Sequence, residues 1–185
     1  MDAVLETFAS VKARWPDAEL VICGDGPLRS QLEAQAASLG LENVWFRGYI
    51  PHREVFAEMQ RAEVFLFLSC ADYDRLPNVI KEALAARCYC VVGTTVGIEE
   101  LIPGPDHGCV VGEGRWEDAA RAIDAAFSDP NEAARAVERA RAHLVAYFDV
   151  DTTMSGYRSA WAALAPASLP ARPQKAPAWR PAASA

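Results

Sequence analysis

The sequence predicts an α/β fold, a parallel sheet with helices on both faces, followed by C-terminal helices and a disordered tail. Three observations lead there. Short β-branched runs alternate with segments of helical spacing through Val111, the pattern of strands joined by crossover helices. Several runs end in turn-forming residues, as in Gly24-Asp25-Gly26-Pro27 and Gly48-Tyr49-Ile50-Pro51. After Glu113 the strand-like runs stop, and segments rich in Ala and charge take over.

The elements follow in order. Val4, Leu5, Phe8 and Val11 recur at helical spacing over residues 3–14, and Pro16-Asp17 break the pattern. Glu19 to Cys23 is a short β-branched run that reads as a buried strand. Pro27 suits the first turn of a helix through Leu28, Leu32 and Leu39, and Gly40 caps it. Asn43 to Arg47 is a second strand, closed by Gly48. Pro51 to Arg61 is a short helix with Val55, Phe56 and Met59 on its apolar side. Val64 to Leu68 is a third strand, Pro77 to Ala86 a helix, and Tyr89 to Gly93 a fourth strand. Gly97 to Leu101 is a helical turn and Cys109 to Val111 a last strand. Trp116 to Phe127, Asn131 to Tyr147 and Asp151 to Leu164 read as helices. The expected organisation is one domain over 1–164 and a Pro/Ala-rich disordered tail over 165–185.

The gross chemistry narrows the function. A chain of 185 residues with 51% apolar content can build a real core. A net charge of −7 argues against nucleic acid as a partner but leaves room for one local anion pocket. No apolar run approaches the roughly 20 residues that span a bilayer, and the first residues lack the form of a signal peptide. The five cysteines are odd in number and lie mostly in apolar runs, without paired Cys-x-x-Cys spacing. Buried structural thiols in a reducing cytoplasm are expected, with no metal site.

The most informative stretch runs from Ser69 to Leu101. A strand feeds an acidic loop, Pro77 opens a helix, and Asp74 and Glu82 frame the turn. In α/β sheets ligands bind where a strand's carboxyl end faces a helix N-terminus.

The motifs Gly24-Asp25-Gly26-Pro27, Gly48-Tyr49-Ile50-Pro51, Ser69 through Asp74-Arg75-Leu76-Pro77-Asn78 to Glu82-Ala83, and Gly97-Ile98-Glu99-Glu100-Leu101 occur in a telling order. Together they resemble the C-terminal, donor-binding half of family-four retaining glycosyltransferases of the two-domain GT-B architecture, whose domains are Rossmann-like. The resemblance covers residues 1 to about 164. It implies a transferase that moves a hexose from a UDP- or GDP-sugar to a glycan or lipid-linked acceptor, without a cofactor or metal.

The resemblance also assigns roles. Glu82 stands where the family's carboxylate accepts hydrogen bonds from the donor ribose, work suited to an ionised carboxylate facing a diol. Otherwise it is a solvated helix glutamate, paired with Lys81 or unpaired. Asp74 matches the acid that faces the transferred sugar, or else is a loop aspartate or cap near Asn78. Arg75, Leu76, Pro77, Asn78 and Val79 would aim backbone N–H groups at phosphate or sugar oxygen. Gly24, Asp25 and Gly26 would lie near the nucleotide, or form only a tight strand-to-helix turn. Tyr49, Ile50 and Pro51 would contact the base, or merely end a strand. His52, His107 and His143 match no catalytic constellation. Trp116 and Phe127 read as core.

Two departures from the family pattern stand out, one at the acid pair and one at the start of the chain. The first acid is usually Glu and is Asp74 here, and the following glycine is Arg75, which adds a cation where close backbone approach is usual. The family's opening strand with its Gly-Arg-Leu…Lys-Gly segment has no counterpart, and neither does the acceptor-binding N-terminal domain. The resemblance thus points to a fragment or truncated product with an exposed sheet edge. Cytoplasmic location, including peripheral contact with the inner membrane surface, is the matching expectation. A non-catalytic, degenerate domain that binds nucleotide sugar or protein is the competing reading, and an epimerase of the same architecture a third.

Overall fold

A computed structural model describes residues 2–69 and 75–164. The elements run α1 (Asp2–Arg14), β1 (Leu20–Cys23), α2 (Arg29–Ser38), β2 (Val44–Gly48), α3 (His52–Arg61), β3 (Val64–Phe67), α4 (Asn78–Ala85), β4 (Tyr89–Gly93), α5 (Ile98–Leu101), β5 (Cys109–Val111), α6 (Trp116–Ser128), α7 (Pro130–Phe148) and α8 (Val150–Leu164). The chain divides into two units, one ending at Asp149 and one beginning at Val150. The described part of the second is α8, a helix without a buried residue of its own.

The strands pair in parallel, as their alternation with helices predicts, but in two sets: β1 with β2, and β3-β4-β5. Among the described residues β1 pairs only with β2, and β3 pairs only with β4 and not with β1. Both are apolar runs, Leu-Val-Ile-Cys and Val-Phe-Leu-Phe, of the kind that fills a sheet interior. Yet β1 is not the buried strand its sequence suggests, since Val21 is exposed and its neighbours are half-buried, and β3 is only half-buried along its length.

Helices cover both faces of the larger sheet, and the pleat of β4 divides them. Cys90 and Val92 point into a cluster with Met59 of α3, Ile80, Ala83 and Leu84 of α4, Ile98 and Leu101 of α5, and Ala140 of α7. Val91 faces the other way, toward Val11 of α1, Val111 of β5 and Ala119 and Ile123 of α6. A third cluster joins Leu5 of α1 to Leu32 and Ala36 of α2, under the apolar side chains of β1 and β2. Helix α1 therefore serves both strand sets, through Leu5 on one side and Val11 on the other. Trp116 and Phe127 are half-buried against the α1–α6 cluster, and the Trp15 and Phe127 rings meet edge-on at 5.5 Å.

Helix ends follow local chemistry. Gly40 (φ 65°) closes α2, with its amide on the Ala37 carbonyl at 3.0 Å and the Leu41 amide on that of Ala36 at 3.0 Å. Asp129 caps α7 by accepting from the Glu132 amide at 2.9 Å, and Pro130 occupies the first turn, where its missing N–H costs nothing. Two sequence expectations shift by a residue or two. Pro27 lies in the turn ahead of α2, which starts at Arg29. Pro51 and Pro77 are the residues before α3 and α4, extended at ψ 144° and 128° rather than helical.

Candidate functional site

All strands being parallel, their carboxyl ends share one edge of each sheet, and the loops leaving those ends carry the sequence motifs. Two loops are tied together. The Gly24 amide donates to the Gly48 carbonyl at 2.8 Å, joining the turn after β1 to the turn after β2. Gly48 is buried at φ 66°, and a Cβ built there would stand 2.9 Å from Nη1 of Arg29. Arg29 in turn donates to the Phe46 carbonyl at 3.2 Å and pairs with Glu33 at 2.8 Å and Asp25 at 3.8 Å. Asp25 also accepts from the Gly26 amide at 2.8 Å. The carboxylate of Asp25 is thus engaged within its own turn, while Gly24 and Gly26 are exposed.

Tyr49 leaves β2 with 87% of its surface exposed, an unusual degree of exposure for an aromatic side chain. Ile50 is half-buried, and Pro51 is exposed at the head of α3.

The turn into α4 is the best-formed part of the site. Asp74 and the four residues before it lie outside the described residues. Arg75 is exposed. Leu76 sits at φ 46°, a left-handed conformation that costs a branched side chain about 1 kcal/mol or more. Its side chain packs beneath Gly97 in the loop after β4, within 3.4 Å of where a Cβ there would stand. Pro77 is buried and offers no capping hydrogen bond, and the first turn of α4 carries no acidic residue. Among the described residues, the N–H groups of Asn78 and Val79 therefore begin a helix with neither a side-chain cap nor a carboxylate in its first turn, the electrostatic setting that suits an anion.

Glu82 follows one turn along α4, half-buried, with Ile80, Ala83 and Leu84 anchoring the helix around it. It does not pair with Lys81. Lys81 reaches Asn78 Oδ1 at 3.3 Å and lies over the Phe148 ring at 5.6 Å. The Glu82 partner is His52, whose Nε2 is 3.2 Å from Oε1. Sequence reasoning passed over His52: thirty residues separate the two, and only the packing of α3 on α4 brings them together. The one available signal was its place directly after Tyr49-Ile50-Pro51. Thr95, in the loop after β4, is a second residue the sequence did not flag; its Oγ1 is buried without a hydrogen-bond partner among the described residues.

Of the remaining histidines, His107 and His143 meet edge-on at 5.6 Å, and His143 contacts the Glu100 carbonyl at 2.7 Å. Burial pushes the Cys88 thiol up to about 11 and raises Cys90 well above its ordinary value, as inert structural thiols require. No group of three metal-ligating side chains occurs among the described residues. No described helix is long and apolar enough to cross a membrane.

Among the described residues this edge offers a half-buried carboxylate, helix-start amides without a side-chain cap and an exposed aromatic side chain. The comparisons with known proteins bear on the family and the fold. Residues 1–143 match the family described as Glycosyl transferases group 1, and the chain belongs to that family. Among curated relatives, the alpha-D-kanosaminyltransferase of Streptomyces kanamyceticus is 30% identical over 137 residues, which is 74% of this chain and 35% of the relative. A GDP-mannose-dependent alpha-(1-6)-phosphatidylinositol dimannoside mannosyltransferase of Mycobacterium tuberculosis is 29% identical over 143 residues, 77% of this chain and 36% of the relative. The chain spans about a third of the length of these relatives.

Solved structures share the fold. Anabaena HepE in complex with UDP-glucose superposes with a TM-score of 0.75 at 22% identity, over 87% of this chain and 44% of that one. The C-terminal domain of a group 1 glycosyl transferase from Francisella tularensis superposes at 0.71 with 17% identity, over 80% of this chain and 79% of that one. The fold is the Rossmann-like domain of GT-B glycosyltransferases, and the matched lengths agree with a C-terminal half.

Proposed function

We propose that this chain is the donor-binding domain of a retaining glycosyltransferase that transfers a hexose from a UDP- or GDP-sugar to a glycan or lipid-linked acceptor. The observation that carries this reading is the α4 turn: a helix start without a side-chain cap among the described residues, preceded by left-handed Leu76, with Glu82 one turn further on. Glu82 accepts from the ribose hydroxyls. The amides of residues 75–79, helped by the exposed Arg75, hold the diphosphate. Tyr49, Ile50 and Pro51 border the base, and Gly24, Asp25 and Gly26 line the nucleotide side of the cleft. Asp74 faces the transferred sugar.

In transfer, the bond from the anomeric carbon to the diphosphate breaks as the acceptor oxygen bonds on the same face. Negative charge grows on the departing phosphate, where preorganised amides are worth most. No metal or cofactor enters this scheme. The acceptor comes from protein outside these 185 residues, a reading supported by the third of the relatives' length that the chain spans. Work at the cytoplasmic membrane surface fits lipid-linked acceptors.

Calorimetry with UDP- and GDP-sugars tests the reading. Glu82→Ala is expected to weaken the donor at least about tenfold, or roughly 1.4 kcal/mol. Equal binding by wild type and variant removes Glu82 from the donor site. One observation favours a second reading, a non-catalytic domain that only binds nucleotide sugar. Arg75 replaces the family's glycine beside the reacting sugar. Donor binding without transfer, in a protein that includes the acceptor-binding half, would establish that alternative.

A further inference from the structure

We propose that His52 is a positioning residue for Glu82, holding its carboxylate turned toward the ribose of a bound nucleotide. The proposal rests on the ribose reading of Glu82 given above. Its basis is the 3.2 Å contact between His52 Nε2 and Glu82 Oε1, which joins the first residue of α3 to the middle of α4.

The backbones on both sides are fixed. Helix α3 is held by Met59 in the core, with Val55 and Phe56 packed against it, and α4 by Ile80, Ala83 and Leu84. The glutamate side chain is 34% exposed and turns about three bonds, so a partner at its carboxylate can settle its orientation. Among the described residues His52 is the side chain that reaches its carboxylate, since Lys81 is diverted to Asn78. With its proton on Nε2, the imidazole donates to Oε1 and settles the carboxylate's orientation. One lone pair of Oε1 and both of Oε2 then remain, enough for the two O–H donors of a vicinal diol.

Position adds a second consequence. His52 follows Tyr49-Ile50-Pro51 directly, and it is 73% exposed, so it stands on the rim between the proposed base loop and the ribose carboxylate. A base that settles against residues 49–51 thereby meets a ribose acceptor anchored from the same loop.

The test is calorimetry of the full chain with UDP, GDP and ADP, each beside its 2′,3′-dideoxy counterpart, with thermal melts to verify folding of every variant. His52→Ala is expected to weaken the ribonucleotide about two- to fivefold, the range of an exposed side-chain pair. It should leave the dideoxy nucleotide unchanged and have no further effect in a Glu82→Ala background. His52→Gln, which keeps an N–H near the Nε2 position, should restore most of the loss. If His52→Ala weakens both nucleotides alike, or neither, while Glu82→Ala still discriminates between them, the role of His52 is overturned and Glu82 stands. If Glu82→Ala treats both nucleotides alike, or if none of the three ribonucleotides binds, the ribose reading falls and the His52 proposal with it.

Discussion

Replacing Gly48 with alanine tests how the two nucleotide-side loops are built. Gly48 is buried at φ 66°, and its carbonyl accepts the Gly24 amide at 2.8 Å. A left-handed conformation costs an alanine about 1–2 kcal/mol relative to its ordinary regions. The added Cβ also stands 2.9 Å from Arg29 Nη1, so the guanidinium must move. Moving it strains the contacts with Phe46, Glu33 and Asp25. The backbone cost alone sets the expected destabilisation at about 1–2 kcal/mol. In urea titration this appears as a lower midpoint with an unchanged slope. Gly26→Ala is the control, because Gly26 has no positive φ and no atom within 4 Å of a built Cβ. It should be neutral or slightly stabilising, by up to about 1 kcal/mol. A Gly48→Ala protein within about 0.5 kcal/mol of wild type, or indistinguishable from Gly26→Ala, would refute both the backbone and the Arg29 parts of the argument.

Two further outcomes follow from the core. Leu84 is 1% exposed between α4 and the larger sheet, so Leu84→Ala should cost about 2–5 kcal/mol in denaturant unfolding, and a loss under about 1 kcal/mol would show that the α4 interface collapses readily. Burial raises the thiol pKa of Cys88 to about 11 and also raises Cys90, Cys109 and Cys23, so between pH 9 and 11 the unfolded chain loses protons that the folded chain keeps. Stability should be flat through neutral pH and fall as pH rises across that window, with native thiols slow toward alkylating reagents at pH 8; stability constant from pH 8 to 11 would contradict this.

Much of the fold was legible because its signals are local. The β-branched runs at Tyr89–Gly93 and Cys109–Val111 became β4 and β5 with those bounds, and helical spacing located α1, α6, α7 and α8 within a residue or two. Proline behaved less simply. Pro51 and Pro77 were read as first helical residues but stand one position earlier, since a proline serves equally well in the extended residue that precedes a helix. The split of the strands into two parallel sets was not legible at all. Pairing partners depend on which strands lie side by side, and apolar runs such as β1 and β3 look alike whether one edge or two is satisfied.

The sequence by itself determined the order of elements, the family, and the α4 turn with Glu82 as the place to look, because each rests on residues close together in the chain. The tertiary structure decided what those residues face. It turned Asp25 into its own loop and toward Arg29, set Leu76 in a left-handed conformation under Gly97, and left the start of α4 without a side-chain cap among the described residues. It also put His52 against Glu82 across thirty residues of chain. Contacts of that kind are set by how helices pack on a sheet, a property of the whole core that no local pattern encodes.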